Sequence, residues 1–193
     1  MVNAGATLKA SDKVKVESNG QNGIYVKESK ATLTSVTVKN NSKYGIAAEK
    51  KSTVTINKCT VEKNKSYGIN IAGEKTTATV KSTTVKNNKN TGIMVNTKST
   101  VKELTSNKVT NNGTLGICVK GGATVNKVQK NTITGHTKYG MSLYDSKVSN
   151  VKNNKLSNPK GKAEIYVKNC KTNVTTMAIV KVKNVKASSK KVT

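Results

Sequence analysis

The chain contains no arginine, tryptophan or phenylalanine, one proline and one histidine. Nine acidic residues stand against thirty-five lysines, a formal net charge of +26 at pH 7. Without arginine there is no planar fork to grip phosphate or carboxylate in two places at once. With aromatic residues at only 3%, this argues against a nucleic-acid partner, whose recognition leans on arginine and on aromatic stacking. Acids are equally scarce where sugar chemistry needs them. A calcium-assisted lyase requires clustered carboxylates, and a glycoside hydrolase requires a pair flanking the bond. Cys59, Cys118 and Cys170 cannot pair completely, no CxxC occurs, and His136 has no partner at metal-ligand spacing. No metal and no cofactor is therefore expected. No apolar run is long enough to cross a membrane. Met1-Val2-Asn3-Ala4-Gly5 lacks the basic and apolar segments of a secretion signal. No sustained 3.6-residue apolar stripe appears, which leaves helical folds without support.

What the sequence does have is repetition. A glycine followed by Ile or Met recurs at Gly23, Gly45, Gly68, Gly92, Gly116 and Gly140, with spacings of 22 to 24 residues. A seventh copy opens at Glu164-Ile165 with the glycine replaced. A fixed period of this size signals a stacked array. Each copy holds three short runs that alternate apolar and polar residues, as half-buried strands do. Ile69-x-Ile71 and Ile93-x-Val95 are examples of the first run, Thr53-Val54-Thr55-Ile56 of the second, and Val61, Val85 and Val109 mark the third. β-branched Val, Ile and Thr suit pleated strands, and Asn, Lys, Ser and Gly separate the runs as turns require. At about 3.3 Å per residue, 24 residues trace one closed triangular coil. The expected fold is all-β, a right-handed parallel β-helix of about seven coils of 22–24 residues with three short strands each. Ile46, Ile69, Ile93, Ile117, Met141 and Ile165 should form one internal column. The glycine is expected to supply a corner with positive φ. Asn107, Asn131 and Asn154 are expected to stack as an amide ladder, and Tyr44, Tyr67 and Tyr139 as a turn column; the alternative reading of that column is a sugar-stacking platform, interrupted by Thr91 and Leu115.

The motif N-x-[VI]-x-x-N-x(3–4)-G-[IM] is carried by Asn107-Lys108-Val109-Thr110-Asn111-Asn112 with Gly116-Ile117. Asn131-Thr132-Ile133 with Gly140-Met141 carries it in part, with Gly135-His136 where Asn is expected. This pattern resembles the right-handed parallel β-helix repeat of pectin and pectate lyase-like proteins over nearly the whole chain. The repeat domain is read as 1–181. Residues 182–193 leave the pattern and are read as a linker or the start of a following module. The chain is expected to be a fragment of a secreted or cell-surface bacterial protein, covalently linked to neighbouring modules.

In lyases of this family the site lies along the exposed face of the first sheet, and the resemblance places that site on the strands after the marker glycine. The outward positions there include Tyr25, Lys27, Glu49, Met94, Cys118, Lys120, Tyr144, Tyr166 and Lys168. If the chain is a polysaccharide lyase or epimerase, its candidates are Lys120, His136, Tyr144, Asp145 and Lys168, with Lys, Tyr or His removing a sugar proton. The preferred reading has no catalytic residue. It is a structural spacer or adhesin that holds anionic polysaccharide or cell-wall polymer on its lysine-rich surface, with Lys27, Lys120, Tyr144, Tyr166 and Lys168 as ligand-binding residues and no insertion into membrane.

Overall fold

A computed structural model of the chain describes residues 1–3, 5–159, 161–172 and 185–187. The boundary expected at 181/182 lies outside them. The alternating runs fold as strands, and all their pairings are parallel. Strands Ile24–Lys27, Ile46–Glu49, Ile69–Ala72, Ile93–Asn96 and Leu115–Val119 stack in one sheet face. The opening halves of Tyr139–Val148 and Ala163–Thr172 continue it. Val185–Ala187 pairs with Ile165–Val167 on the same face. The second face holds Lys30–Thr34, Thr53–Asn57, Thr77–Lys81 and Thr100–Thr105. A third sheet stacks seven strands, from Lys15–Glu17 through Thr84–Lys86 to Lys155–Ser157. The result is a three-faced parallel β-helix.

The inward positions line up as the period requires. Ile46, Ile69, Ile93, Ile117, Met141 and Ile165 are register partners, and none is more than 1% exposed. Val61, Val85, Val109, Ile133 and Leu156 form the matching column of the third sheet. A single coil cannot bury these side chains alone; the coils above and below supply the core.

Corners are made by a residue in the left-handed region followed by a buried side chain. Asn40, Lys63, Asn87 and Asn111 have φ of 53–58°, and each precedes a buried Asn at 41, 64, 88 or 112. Those amides form a ladder in which Nδ2 of Asn41 donates to Oδ1 of Asn64, and so on through Asn88 to Asn112, each at 2.9 Å. The second ladder is the expected one: Asn107 donates to Asn131 and Asn131 to Asn154, at 3.0 and 2.9 Å.

The marker glycine does not have positive φ; Gly23, Gly45, Gly68, Gly92, Gly116 and Gly140 all lie outside that region. Its role is space. A Cβ on Gly68 would lie 2.5 Å from Val85 Cγ1, 2.7 Å from Asn88 Nδ2 and 2.8 Å from the Gly92 carbonyl. The chain passes so close to the third sheet and the ladder that no side chain fits. Lys, Asn and Ser carry the positive φ instead, at exposed corners where their side chains reach water.

Gly68→Ala should lower the melting midpoint, with overpacking costing roughly 1–3 kcal/mol. Gly20→Ala, where a Cβ meets nothing within 4 Å, should leave it unchanged. Equal circular-dichroism melts for the two variants would remove this steric account. Ile93→Asp places a charge in the dry core and should unfold neighbouring coils, read as loss of the cooperative β-signal on heating.

Candidate ligand-binding groove

The strands after the marker glycine send alternate side chains outward. Tyr25, Ala47, Asn70, Met94, Cys118, Ser142 and Tyr166 are register partners in one column. Alternation alone predicts that these positions face solvent. They do point outward, yet Ala47 through Ser142 are all buried, and Cys118 is 2% exposed. The cause is the height of the neighbouring rows. Tyr44, Tyr67 and Tyr139 rise on one side, and Glu49, Asn96, Lys120 and Tyr144 on the other. Small side chains between long ones become the floor of a groove parallel to the helix axis.

The two ends of the groove differ. Toward the N-terminal end a polar string crosses the floor. Tyr25 Oη donates to Glu49 Oε2 at 3.2 Å, Asn70 Nδ2 to Glu49 Oε1 at 3.1 Å, and Asn96 Nδ2 to Asn70 Oδ1 at 3.2 Å. The Tyr25 phenol is raised above its ordinary pKa, first by burial and then by the Glu49 charge. On the tyrosine wall the Tyr44 and Tyr67 rings stack with centroids 5.1 Å apart, Tyr44 lining the N-terminal hollow and Tyr67 the C-terminal one. Toward the C-terminal end lies a cavity of about 440 Å³ walled by Tyr67, Lys120, Lys138, Tyr139, Tyr144 and Tyr166. Met94, Cys118 and Ser142 floor it. Tyr139 and Tyr166 stack at 4.9 Å, and the Lys138 ammonium lies 5.5 Å from the Tyr139 ring. An adjoining hollow shares Lys120 and Tyr144 and adds Asp145.

Of the residues singled out from the sequence, Lys120, Tyr144 and Tyr166 therefore meet in one cavity. Lys168 is the register partner of Tyr144 and is exposed. Lys27 sits at the far end, partnered in register with Glu49. Lys138 was not among the candidates. Tyr139 belongs to the recurrent tyrosine column, whose alternative reading as a stacking platform, followed as a wall, would have pointed to its neighbour Lys138 as well.

His136 is a correction. It is fully buried and occupies a rung of the first amide ladder, away from the groove. Its Nδ1 accepts from the Asn112 N–H at 3.2 Å, and Nε2–H donates to the Val109 carbonyl at 3.2 Å. The neutral Nε2–H ring thus copies the acceptor and donor of an Asn amide, as Asn112 does toward the Val85 carbonyl. No nitrogen is left to take a substrate proton.

Residues 2–133, more than half the chain, match the family model described as "Right handed beta helix region". The chain belongs to the right-handed β-helix family. In this β-helix, residues 103–187 also match the model described as "Periplasmic copper-binding protein (NosD)". The A-module of mannuronan C-5 epimerase AlgE6 from Azotobacter vinelandii superposes with a TM-score of 0.51 at 12% identity, over 95% of this chain and 54% of that one. That likeness is one of fold, and this β-helix spans about half the length of that structure. No curated protein matches the sequence.

Copper calls for thiolate, thioether or imidazole ligands brought together. Here Cys59 lines a core corner, both His136 nitrogens are engaged with backbone, and burial pushes the Cys118 thiol up to about 11. Among the described residues no three His, Cys, Asp or Glu side chains stand together. The described ligands do not fit a copper site.

Burial holds the His136 imidazole below its ordinary value of 6.5, so the unfolded chain takes up that proton first. The stabilisation is complete above about pH 6.5 and is lost as pH falls through the lower folded-state value. His136→Asn completes the ladder without a titrating group. It should lose less melting temperature than the wild type between neutral pH and mildly acid pH; parallel losses would refute the assignment.

Proposed function

We propose that this β-helix is a non-catalytic array, a spacer or adhesin of a secreted or cell-surface bacterial protein, that holds acidic polysaccharide in its groove. One observation carries the reading. The cavity between Lys120 and Lys138 is lined by four tyrosines and has no carboxylate in its lining. Tyrosine faces suit sugar rings, and lysines on opposite walls suit a carboxylate between them. Lysine is a point charge on a flexible stem, which fits an irregular polymer better than one rigid epitope. The lysines outside the groove add a diffuse attraction that steers the polymer in.

The alternative is a lyase or epimerase using the same cavity. Lys120 would neutralise a uronate carboxylate, and Tyr144 or Tyr166 would handle the proton. The loss of His136 as a candidate leaves that reading with no side chain whose ordinary pKa lies near neutrality.

Titration with polygalacturonate at low and high salt tests the proposal. Binding should weaken steeply with salt, because exposed charges are screened beyond about 8 Å at physiological ionic strength. Removing Lys120 and Lys138 together should weaken binding by about tenfold or more, at roughly 1.5 kcal/mol or more per charge-assisted hydrogen bond. Removing Lys58 and Lys130, at the opposite corner, should cost far less. Equal losses would locate binding on the diffuse surface and not in the groove. No ultraviolet absorbance from unsaturated uronates should develop; a rise abolished by Lys120→Ala or Tyr144→Ala would make the protein a lyase.

A further inference from the structure

Glu49 is the one carboxylate in the two outward register rows that run from Tyr25 to Tyr166 and from Lys27 to Lys168. Lysines outnumber acids heavily, yet the four ion pairs among the described residues use Glu17, Glu62 and Glu103 and leave Glu49 out. Lys27 is its register partner and still lies beyond ion-pair distance. Glu49 is instead held by neutral donors, Tyr25 Oη at 3.2 Å and Asn70 Nδ2 at 3.1 Å. A carboxylate offers about four acceptor sites, so two are taken. The side chain lines a second cavity of about 380 Å³, with Asn22, Tyr25, Lys43 and Tyr44 around it. The Lys43 ammonium lies 5.4 Å from the Tyr44 ring.

We infer that this end of the groove is a separate sugar subsite, selective for a unit that carries free hydroxyls and no carboxylate. Glu49 accepts from the hydroxyls, and Asn22 and Gln21 supply amides. A uronate here would meet Glu49 as well as Lys43, one negative charge for one positive, where the other cavity offers two lysines and no carboxylate, so this end disfavours it. Three coils farther along, about 14 Å at the strand spacing, Lys120 begins the end that favours a uronate. The groove is therefore polarised along its length. Its ligand is a heteropolymer in which acidic and uncharged units are mixed. The inference rests on the reading that the groove binds acidic polysaccharide, and it adds what the other units must be.

The experiment compares polygalacturonate with the same polymer after partial reduction of its carboxyl groups to primary alcohols. Isotherms are recorded for the wild-type chain, Glu49→Gln and Tyr25→Phe. The wild type should bind the partly reduced polymer several-fold more tightly, although that polymer carries less charge. Glu49→Gln should reverse the preference by binding the fully acidic polymer more tightly than the wild type does. Tyr25→Phe keeps the carboxylate and should keep the preference. The wild-type comparison needs no substitution, so it decides the matter even if a variant fails to fold. If the wild type binds the fully acidic polymer better and Glu49→Gln leaves that ratio unchanged, the subsite is overturned while the cationic cavity stands. If neither polymer binds, both readings fall.

Discussion

Behind its exposed corner residues each coil draws backbone inside, and buried N–H groups cannot be left without acceptors. This constraint governs the rest of the molecule. At the corner before the marker glycine, the N–H of Asn64 is taken by Oδ1 of Asn88 in the next coil, at 3.1 Å, and the N–H of Asn88 by Oδ1 of Asn112, at 3.0 Å. The same side chains donate back to carbonyls of the third sheet, as Asn88 does to Val61. Each rung satisfies a backbone group in the coil before it, so the ladder forms only when the coils stand in register. Where the rung is His136 in place of Asn, the imidazole reproduces the same acceptor and donor, which shows how closely the corner prescribes its occupant.

Register at the corners fixes register on the faces. Ile69 meets Ile46 and Ile93, and the outward residues are therefore stacked as well. This is what makes a groove. Ala47, Asn70, Met94, Cys118 and Ser142 are short or slender next to the tyrosine and lysine rows, and a wall repeated every coil leaves a continuous trough. Because the floor belongs to strands hydrogen-bonded on both sides, the trough is rigid, and binding side chains are presented without ordering a loop first.

The charge is arranged to be tolerated. On the third sheet Glu17, Lys39, Glu62 and Lys86 are consecutive register partners with alternating sign, and two ion pairs form there at 3.1 and 3.2 Å. On the second face Glu103 lies between Lys81 and Lys127, whose hydrogen bonds hold its carboxyl below the ordinary range. These groups are partly exposed, and such pairs contribute little to stability. Their effect is to keep acids occupied away from the groove. The lysines of the groove walls are thereby left to a ligand, and Glu49 stands out as a carboxylate with neutral partners.

The sequence by itself determined the coil, its period, the inward columns and the Asn107 ladder, because a repeat writes each structural position several times and a single misreading is outvoted. It also brought Lys120, Tyr144 and Tyr166 forward together, since outward positions on one face share a phase. Three things were decided only by the tertiary structure. The marker glycine reads as a conformational device from its own neighbourhood, and only the approach of Val85, Asn88 and Gly92 around Gly68 reveals it as a matter of space. His136 reads as a reactive ring until the Asn112 N–H and the Val109 carbonyl occupy its nitrogens. Cys118 and Met94 read as exposed because alternation gives direction and not depth. Depth depends on side chains three to five residues away and one coil over, and such distances exist only after the chain has wound and stacked.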